Sequence, residues 1–262
     1  MSGAGPPALP ELSREASELL AEARNEQITV RVVGSTAIHL HCAPAAAAME
    51  RAQRSGKDID LIVRGGDRKR LREMIERRGY EIDRDLLVAM EGARFSFAHP
   101  SSAIELDVFV DRMEFCHTID LTRRFELHPH TIPVEDLLLA KLQVHDFTRN
   151  DLLDAIVLLG THPVLPGPSE AEEIDAGYIA ALLARDWGFH HTVTANLVLV
   201  EETLAAAKAP LEPELSATAA ERARVLTQAI ENAEKSRGWR LRARIGERMQ
   251  WWEDVDERVS TY

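Results

Sequence analysis

Apolar residues recur at two different spacings along this chain, and the spacings predict a mixed fold. In residues 11–26 they fall every third or fourth position, which is the period of an amphipathic helix. Elsewhere in the first half, short apolar and β-branched runs are typical of strands. From about residue 130 the pattern is helical throughout. The predicted strands include residues 28–33, 58–63, 94–98 and 104–110.

Turn residues indicate where these elements begin and end. Gly34 stops the first strand, and residues 35–48 are predicted to follow as a helix. Asp67 is the expected N-cap of the next helix. Residues 86–90 are predicted as a further strand that forms a hairpin with residues 94–98.

Three parts follow from this pattern. Residues 1–10, rich in Gly, Ala and Pro, are expected to be a flexible N-terminus. Residues 11–130 form an α+β core with a mixed sheet and flanking helices. Residues 131–262 form an all-helical C-terminal domain.

The composition of the chain indicates the cellular compartment in which the protein is expected. The two cysteines, Cys42 and Cys116, have no zinc or disulfide spacing, which favours a reducing cytoplasm. The N-terminus lacks the features of a signal peptide. No stretch approaches the ~18 apolar residues of a membrane span, so no membrane partner is expected.

The charge balance limits contact with nucleic acids to local patches. The net charge of -12 excludes a surface that is basic throughout. Residues 64–78 contain seven Lys or Arg and three Asp or Glu, and residues 235–248 contain six basic residues and one Glu. Either segment is a candidate RNA contact. The alternative is a solvated helix face whose charges pair along the helix.

Three carboxylates carry the strongest chemical signal. Asp58 and Asp60 are two apart on one predicted strand and therefore project to the same face. Asp107 lies between apolar residues on another strand and follows the same logic. Clustered carboxylates repel one another unless a cation lies between them. Because Mg²⁺ prefers hard oxygen ligands, the trio predicts a magnesium site if the two strands are neighbours.

A small-residue turn precedes the carboxylates. Gly34 and Ser35 join a strand to a helix, where backbone N–H groups and the helix dipole suit phosphate oxygens. Gly34 allows close approach of the backbone, and Ser35 adds a hydroxyl donor. The turn and the carboxylates together indicate metal and nucleotide chemistry.

These motifs resemble the nucleotidyltransferase fold of the DNA polymerase β superfamily. Its pattern is a Gly-Gly or Gly-Ser turn, two aspartates separated by one apolar residue, and a third aspartate between apolar residues. The chain resembles more closely the AbiEii-type nucleotidyltransferase toxins, in residues 34–37, 136–143 and 149–154. It departs from them in a longer interval from Gly34 to Asp58 and in Asn150, where those toxins usually have Lys.

The resemblance implies a nucleotidyltransferase-like sheet and a magnesium-dependent transfer of a nucleoside monophosphate from an NTP to an acceptor. Catalysis and metal binding fall to Asp58, Asp60 and Asp107. By match, nucleotide binding is expected of the following residues: Gly34, Ser35, Lys141, Asp151 and Asp154. A toxin of this kind also implies an antitoxin partner.

Several alternatives stay open from the sequence. The acceptor is RNA, a protein or a small molecule, the last as in aminoglycoside nucleotidyltransferases. A module that keeps the fold but binds nucleotide with little catalysis is the main rival to an enzyme. For Lys141, the alternative to a phosphate contact is a lysine extending from a core helix to solvent.

Overall fold

The computed structural model describes residues 9–42, 58–167, 172–209 and 211–254 of the chain. The chain divides into two compact units. The first contains residues 1–113 and 119–133, and the second contains residues 114–118 and 134–262.

A five-stranded mixed sheet is the main β structure of the first unit. Its strands are β1 (Val30–Val33), β2 (Asp58–Val63), β3 (Glu81–Ile82), β4 (Arg94–Ala98) and β5 (Glu105–Val110). They lie in the order β1-β2-β5-β4-β3. β2 and β5 run parallel, and the other neighbouring pairs run antiparallel. The α+β class with a mixed sheet is therefore confirmed.

The two central parallel strands differ between their faces. Ile59 and Leu61 on β2 are fully buried, as are Leu106 and Val108 on β5. Because successive side chains of a strand alternate, these four share the core face. The alternate residues of β2 and β5 lie on the opposite face, and the first of these on each strand are carboxylates.

Among the described residues, four α-helices accompany this sheet: α1 (Leu9–Asn25), α2 (Gly34–His41), α3 (Arg68–Arg77) and α4 (Arg84–Ala89). α1 buries the apolar face that its spacing predicted, namely Leu12, Ala16, Leu19, Leu20 and Ala23. The predicted helix over 35–48 is confirmed as far as His41, and it ends there, with Cys42 as the C-cap; residues 43–48 lie outside the described residues. Two short strands, β6 (Arg112–Glu114) and β7 (Thr118–Asp120), follow β5.

The predicted strand at 86–90 is wrong, because this segment belongs to helix α4. Asp83 caps that helix through its carboxylate, which accepts a hydrogen bond from the Leu86 N–H at 2.9 Å. Val88 is 76% exposed, so the apolar run has no buried alternating face. A short capped helix satisfies the backbone here without a strand partner.

The second unit is mainly helical. Its helices are α5 (Val134–Leu142), α6 (Arg149–Thr161), α7 (Ala176–Leu183), α8 (Trp187–Ala205), α9 (Pro213–Asn232) and α10 (Arg237–Ala243). The expectation of an all-helical part is wrong in one detail. Two short strands, β8 (Val164–Leu165) and β9 (Ile174–Asp175), pair in parallel. Strands of two residues carry no readable alternation, which is why the sequence did not reveal them.

Across the described residues, no helix combines the length and the apolar character needed to cross a membrane. Cys42 and Cys116 are both buried.

Candidate functional site

β2 and β5 bring four carboxylates together on one face of the sheet. In their parallel register Asp60 lies opposite Asp107, and Asp58 lies opposite Glu105. Opposed residues of neighbouring strands project to the same side, and such strands lie ~4.8 Å apart. All four side chains are partly exposed. They form a two-by-two group, here called the acid array.

Glu105 is the member of the acid array that sequence reasoning missed. It precedes Asp107 by two residues on the same strand, as Asp58 precedes Asp60. That matching alternation was the available signal. It has meaning only when β2 and β5 are known to pair in register, because otherwise Glu105 resembles an exposed strand end.

Gly34 brings the backbone against the acid array. β1 pairs antiparallel with β2, with Val33 opposite Asp60, and Gly34 follows at φ +66°. A Cβ atom on Gly34 would overlap the Asp60 carboxylate and would lie 2.9 Å from its Cγ. The turn predicted to approach a phosphate therefore closely approaches a carboxylate of the site.

Ser35 is the second residue of α2, whose N-terminus is at this turn. Val33 occupies the N-cap position and offers no hydrogen-bonding side chain. The first-turn N–H groups of a helix point along its axis and out of its N-terminal end and, with the helix dipole, favour an anion. Gly34 and Ser35 thus place the positive end of α2 beside Asp60.

Asp107 has a cation as its immediate partner. An Nη atom of Arg94 donates a hydrogen bond to Asp107 Oδ2 at 2.7 Å. The Arg94 side chain is 7% exposed, and its guanidinium lies 4.8 Å from the ring centroid of Phe109. Sequence reasoning did not include Arg94. Its position follows from the β4–β5 register, in which Arg94 lies opposite Phe109 and Ser96 lies opposite Asp107.

The other predicted nucleotide-binding residues belong to the second unit, where they form an ion triad. Lys141 Nζ lies 3.2 Å from Asp151 Oδ1 and 3.1 Å from Asp154 Oδ2. The side chain of Asp154 is fully buried, and those of Lys141 and Asp151 are each 16% exposed. Thr148 caps α6 and donates a hydrogen bond to Asp151 Oδ2 at 2.6 Å. The charge of Lys141 is therefore compensated within its own unit.

The basic segment 64–78 is largely paired with carboxylates of the first unit. Arg78 reaches Glu15 and Glu22 on α1, each at 2.8 Å, and Arg64 reaches Glu126 at 2.6 Å. Further partners come from the same helix or its start: Lys69 with Glu73, Arg70 with Asp67, and Arg72 with Glu76. This network matches the alternative of a charge-paired helix face.

In the second unit, basic residues of segment 235–248 contact backbone carbonyls, an aromatic ring and a carboxylate. Arg242 donates hydrogen bonds to the carbonyls of Gly246 at 2.7 Å and Met249 at 2.8 Å, and its guanidinium lies 4.7 Å from the ring centroid of Trp187. Arg240 lies 3.5 Å from Glu234. Arg242 thus holds the chain that follows α10.

His117 is enclosed by the second unit. Its ring stacks on Phe189 with centroids 4.8 Å apart, and its Nε2 lies 2.9 Å from Thr192 Oγ1. The Trp251 indole N–H donates to the same oxygen at 3.1 Å. Because burial removes water from the ring, the pKa of His117 falls to about 4. This neutral, packed histidine serves the core of the unit.

The acid array, the Gly34 turn and Arg94 are thus the parts of the first unit that offer chemistry. No protein-family model matches the chain, and no curated protein matches it.

Proposed function

We propose that this chain is a magnesium-dependent nucleotidyltransferase, which transfers a nucleoside monophosphate from an NTP to an acceptor hydroxyl and releases pyrophosphate. The observation that carries the proposal is the register of β2 and β5, with Asp60 opposite Asp107 and Asp58 on the same face. Three carboxylates on two neighbouring strands are the arrangement that metal-assisted nucleotidyl transfer requires.

The donor set fits a magnesium ion. The acid array offers carboxylate oxygens, which are the hard ligands that Mg²⁺ prefers. Gly34 keeps the space beside Asp60 clear of a side chain, since its Cβ would overlap that carboxylate. Asp58 and Asp60 would hold the ion. When bound, the ion would neutralise the negative charge of the nucleotide phosphates.

The protein's own groups would bind the nucleotide and handle the proton. The N-terminus of α2, at Gly34 and Ser35, would donate backbone N–H groups to phosphate oxygens. Arg94 contacts Asp107 through Oδ2. Oδ1 of Asp107 is therefore the oxygen that would accept the proton of the acceptor hydroxyl.

One observation favours a second candidate, a nucleotide-binding module with little catalysis. The Arg94 guanidinium lies 2.7 Å from Asp107 Oδ2 and occupies one of the two oxygens through which Asp107 would act on the acceptor. The resemblance also gives nucleotide-binding roles to Lys141, Asp151 and Asp154. Their mutual pairing does not by itself require a nucleotide.

Label transfer from each α-labelled NTP separates the two candidates. The protein is incubated with Mg²⁺ and with tRNA, protein or an aminoglycoside as acceptor, which also distinguishes the three acceptor classes. We expect transfer by the wild type, and a loss of at least ~100-fold in Asp60→Asn because the site loses a metal ligand. Asp146→Asn is the matched control, since its side chain is 98% exposed.

Absence of transfer from every NTP and acceptor, together with NTP binding in calorimetry, would favour the binding module. Equal transfer by the wild type and Asp60→Asn would remove the acid array from the reaction.

A further inference from the structure

Arg94 is more deeply buried than an arginine that pairs with a carboxylate at the protein surface. It is 6% exposed, and it extends from β4 on the same face as Asp107. Its guanidinium lies over the Phe109 ring. Its Nε atom has no hydrogen-bond partner among the residues that the structure describes. The contact with Asp107 is therefore the one charge-compensating bond that the described structure gives this buried cation.

The charge of Arg94 is also permanent. A guanidinium keeps its proton throughout the range in which proteins are folded. A divalent cation that approached Asp107 would meet this positive charge at close range in a partly buried site. Such repulsion is strong where water is largely excluded. Asp107 is therefore a poorer ligand for a metal ion than a carboxylate without a neighbouring guanidinium would be.

We propose that Arg94 is a positioning residue that holds Asp107 and limits the nucleotide-free site to one tightly bound divalent cation, at Asp58 and Asp60. This inference rests on the proposed metal-dependent function. It deepens that function by separating the roles of the carboxylates. In the nucleotide-free protein, Asp58 and Asp60 bind the metal ion. Arg94 keeps the metal ion away from Asp107, so that Asp107 is available for the reaction.

Titration of the full chain with Mn²⁺ tests this directly, without nucleotide and without an activity measurement. Free Mn²⁺ is followed by electron paramagnetic resonance, and the heat of binding is followed by calorimetry. We expect one tight site in the wild type. Arg94→Met removes the charge but keeps an apolar chain over Phe109. It should add a second site or tighten binding by ~10-fold or more, because a repelling charge is lost.

Arg77→Met is the matched control, because Arg77 pairs with Glu26 at the surface of the same unit. It should leave Mn²⁺ binding unchanged. Circular dichroism and thermal unfolding check the fold of each variant. Should Arg94→Met fail to fold, Asp107→Asn gives an independent answer. It should keep the single tight site, whereas Asp60→Asn should abolish it.

The possible failures can be told apart. Two tight sites in the wild type, or an Arg94→Met variant that binds Mn²⁺ as the wild type does, would overturn the role of Arg94 and leave the metal-dependent function standing. Loss of the tight site in Asp107→Asn would do the same. No Mn²⁺ binding in the wild type would overturn both proposals.

Discussion

Gly34 occupies a backbone position where any side chain would displace Asp60. Two separate physical requirements meet at this residue. Its φ of +66° is costly for L residues, and its missing Cβ leaves the space taken by the Asp60 carboxylate. A residue of this kind links the shape of the turn directly to the geometry of the acid array.

Replacement of Gly34 by Ala separates these requirements when it is compared with Gly92→Ala. Gly92 also has a positive φ, +74°, but a Cβ there would meet no atom within 4 Å. We expect each variant to lose roughly 1–2 kcal/mol of stability from the backbone conformation. Gly34→Ala should lose more than this, together with Mn²⁺ affinity.

Urea unfolding and Mn²⁺ titration of both variants provide the comparison. Equal stability losses, with Mn²⁺ binding intact in Gly34→Ala, would mean that the turn does not constrain Asp60.

The single residues of the site were predictable to different degrees. Asp60 and Asp107 were evident because each lies between apolar neighbours, and Asp58 because it precedes Asp60 by two residues on the same predicted strand, so that alternation gives both the same direction. Arg94 and Glu105 depend on the register between strands that are distant in sequence. No local pattern sets that register, so their places beside Asp107 and Asp58 were beyond prediction.

At the scale of elements, α5 and α6 are joined by a buried charge interaction. Lys141 on α5 lies between Asp151 and Asp154 on α6, and the Asp154 side chain is fully buried. Removing one member of a buried ion pair is costly because the remaining charge stays out of water. Replacing both members by apolar residues is often nearly neutral.

A double-mutant cycle therefore tests whether the triad serves stability. Lys141→Met alone should lower the free energy of unfolding by about 3 kcal/mol, and addition of Asp154→Leu should restore most of it. Lys69→Met is the matched control, because Lys69 and Glu73 form an exposed pair at 3.8 Å that contributes less than about 1 kcal/mol.

A different result for Lys141→Met would indicate that Lys141 serves ligand binding. If Lys141→Met leaves stability unchanged but weakens NTP binding in calorimetry, the lysine acts on the nucleotide.

The elements were predictable where their spacing was long and regular. The face of α1 and the limits of β2 and β4 follow from periodicity over several residues. The error at 86–90 arose because Leu86, Leu87 and Val88 have the composition of a strand. Their conformation is set instead by the Asp83 cap and by the lack of a partner strand.

At the scale of the whole molecule, the sequence indicated an excess of acidic groups and a change from mixed to helical structure. The net charge is -12, and basic residues are in excess only in short segments of the chain. In the first unit, Glu15 and Glu22 on α1 pair with Arg78, and Glu126 pairs with Arg64, in addition to the pairs formed within segment 64–78. A local sum of charges could not show this, because the partners are distant in sequence.

One buried and one half-buried histidine indicate how the stability of the protein depends on pH. His117 and His190 both have a pKa lowered to about 4, chiefly by burial, against the ordinary value of 6.5. The unfolded chain therefore binds more protons than the folded chain between these values. Stability contributed by the neutral rings is present above pH 6.5 and is lost as the pH falls towards 4.

We expect His117→Gln to flatten this dependence. The full effect of His117 is on the order of 3 kcal/mol, and the variant should lose correspondingly less stability than the wild type on acidification. Urea unfolding at a series of pH values measures the difference. Parallel stability curves for the two proteins would show that the ring takes up protons equally in both states.

The parallel pairing of β2 and β5 has a consequence for how the protein folds. The two strands can pair only after the chain between them has crossed over, and that crossover includes α3, β3, α4 and β4. Contacts of such high sequence separation form late, because loop closure must precede them. The metal site would therefore form only after this crossover is closed, and a time-resolved Mn²⁺ signal during refolding would report the pairing of β2 with β5.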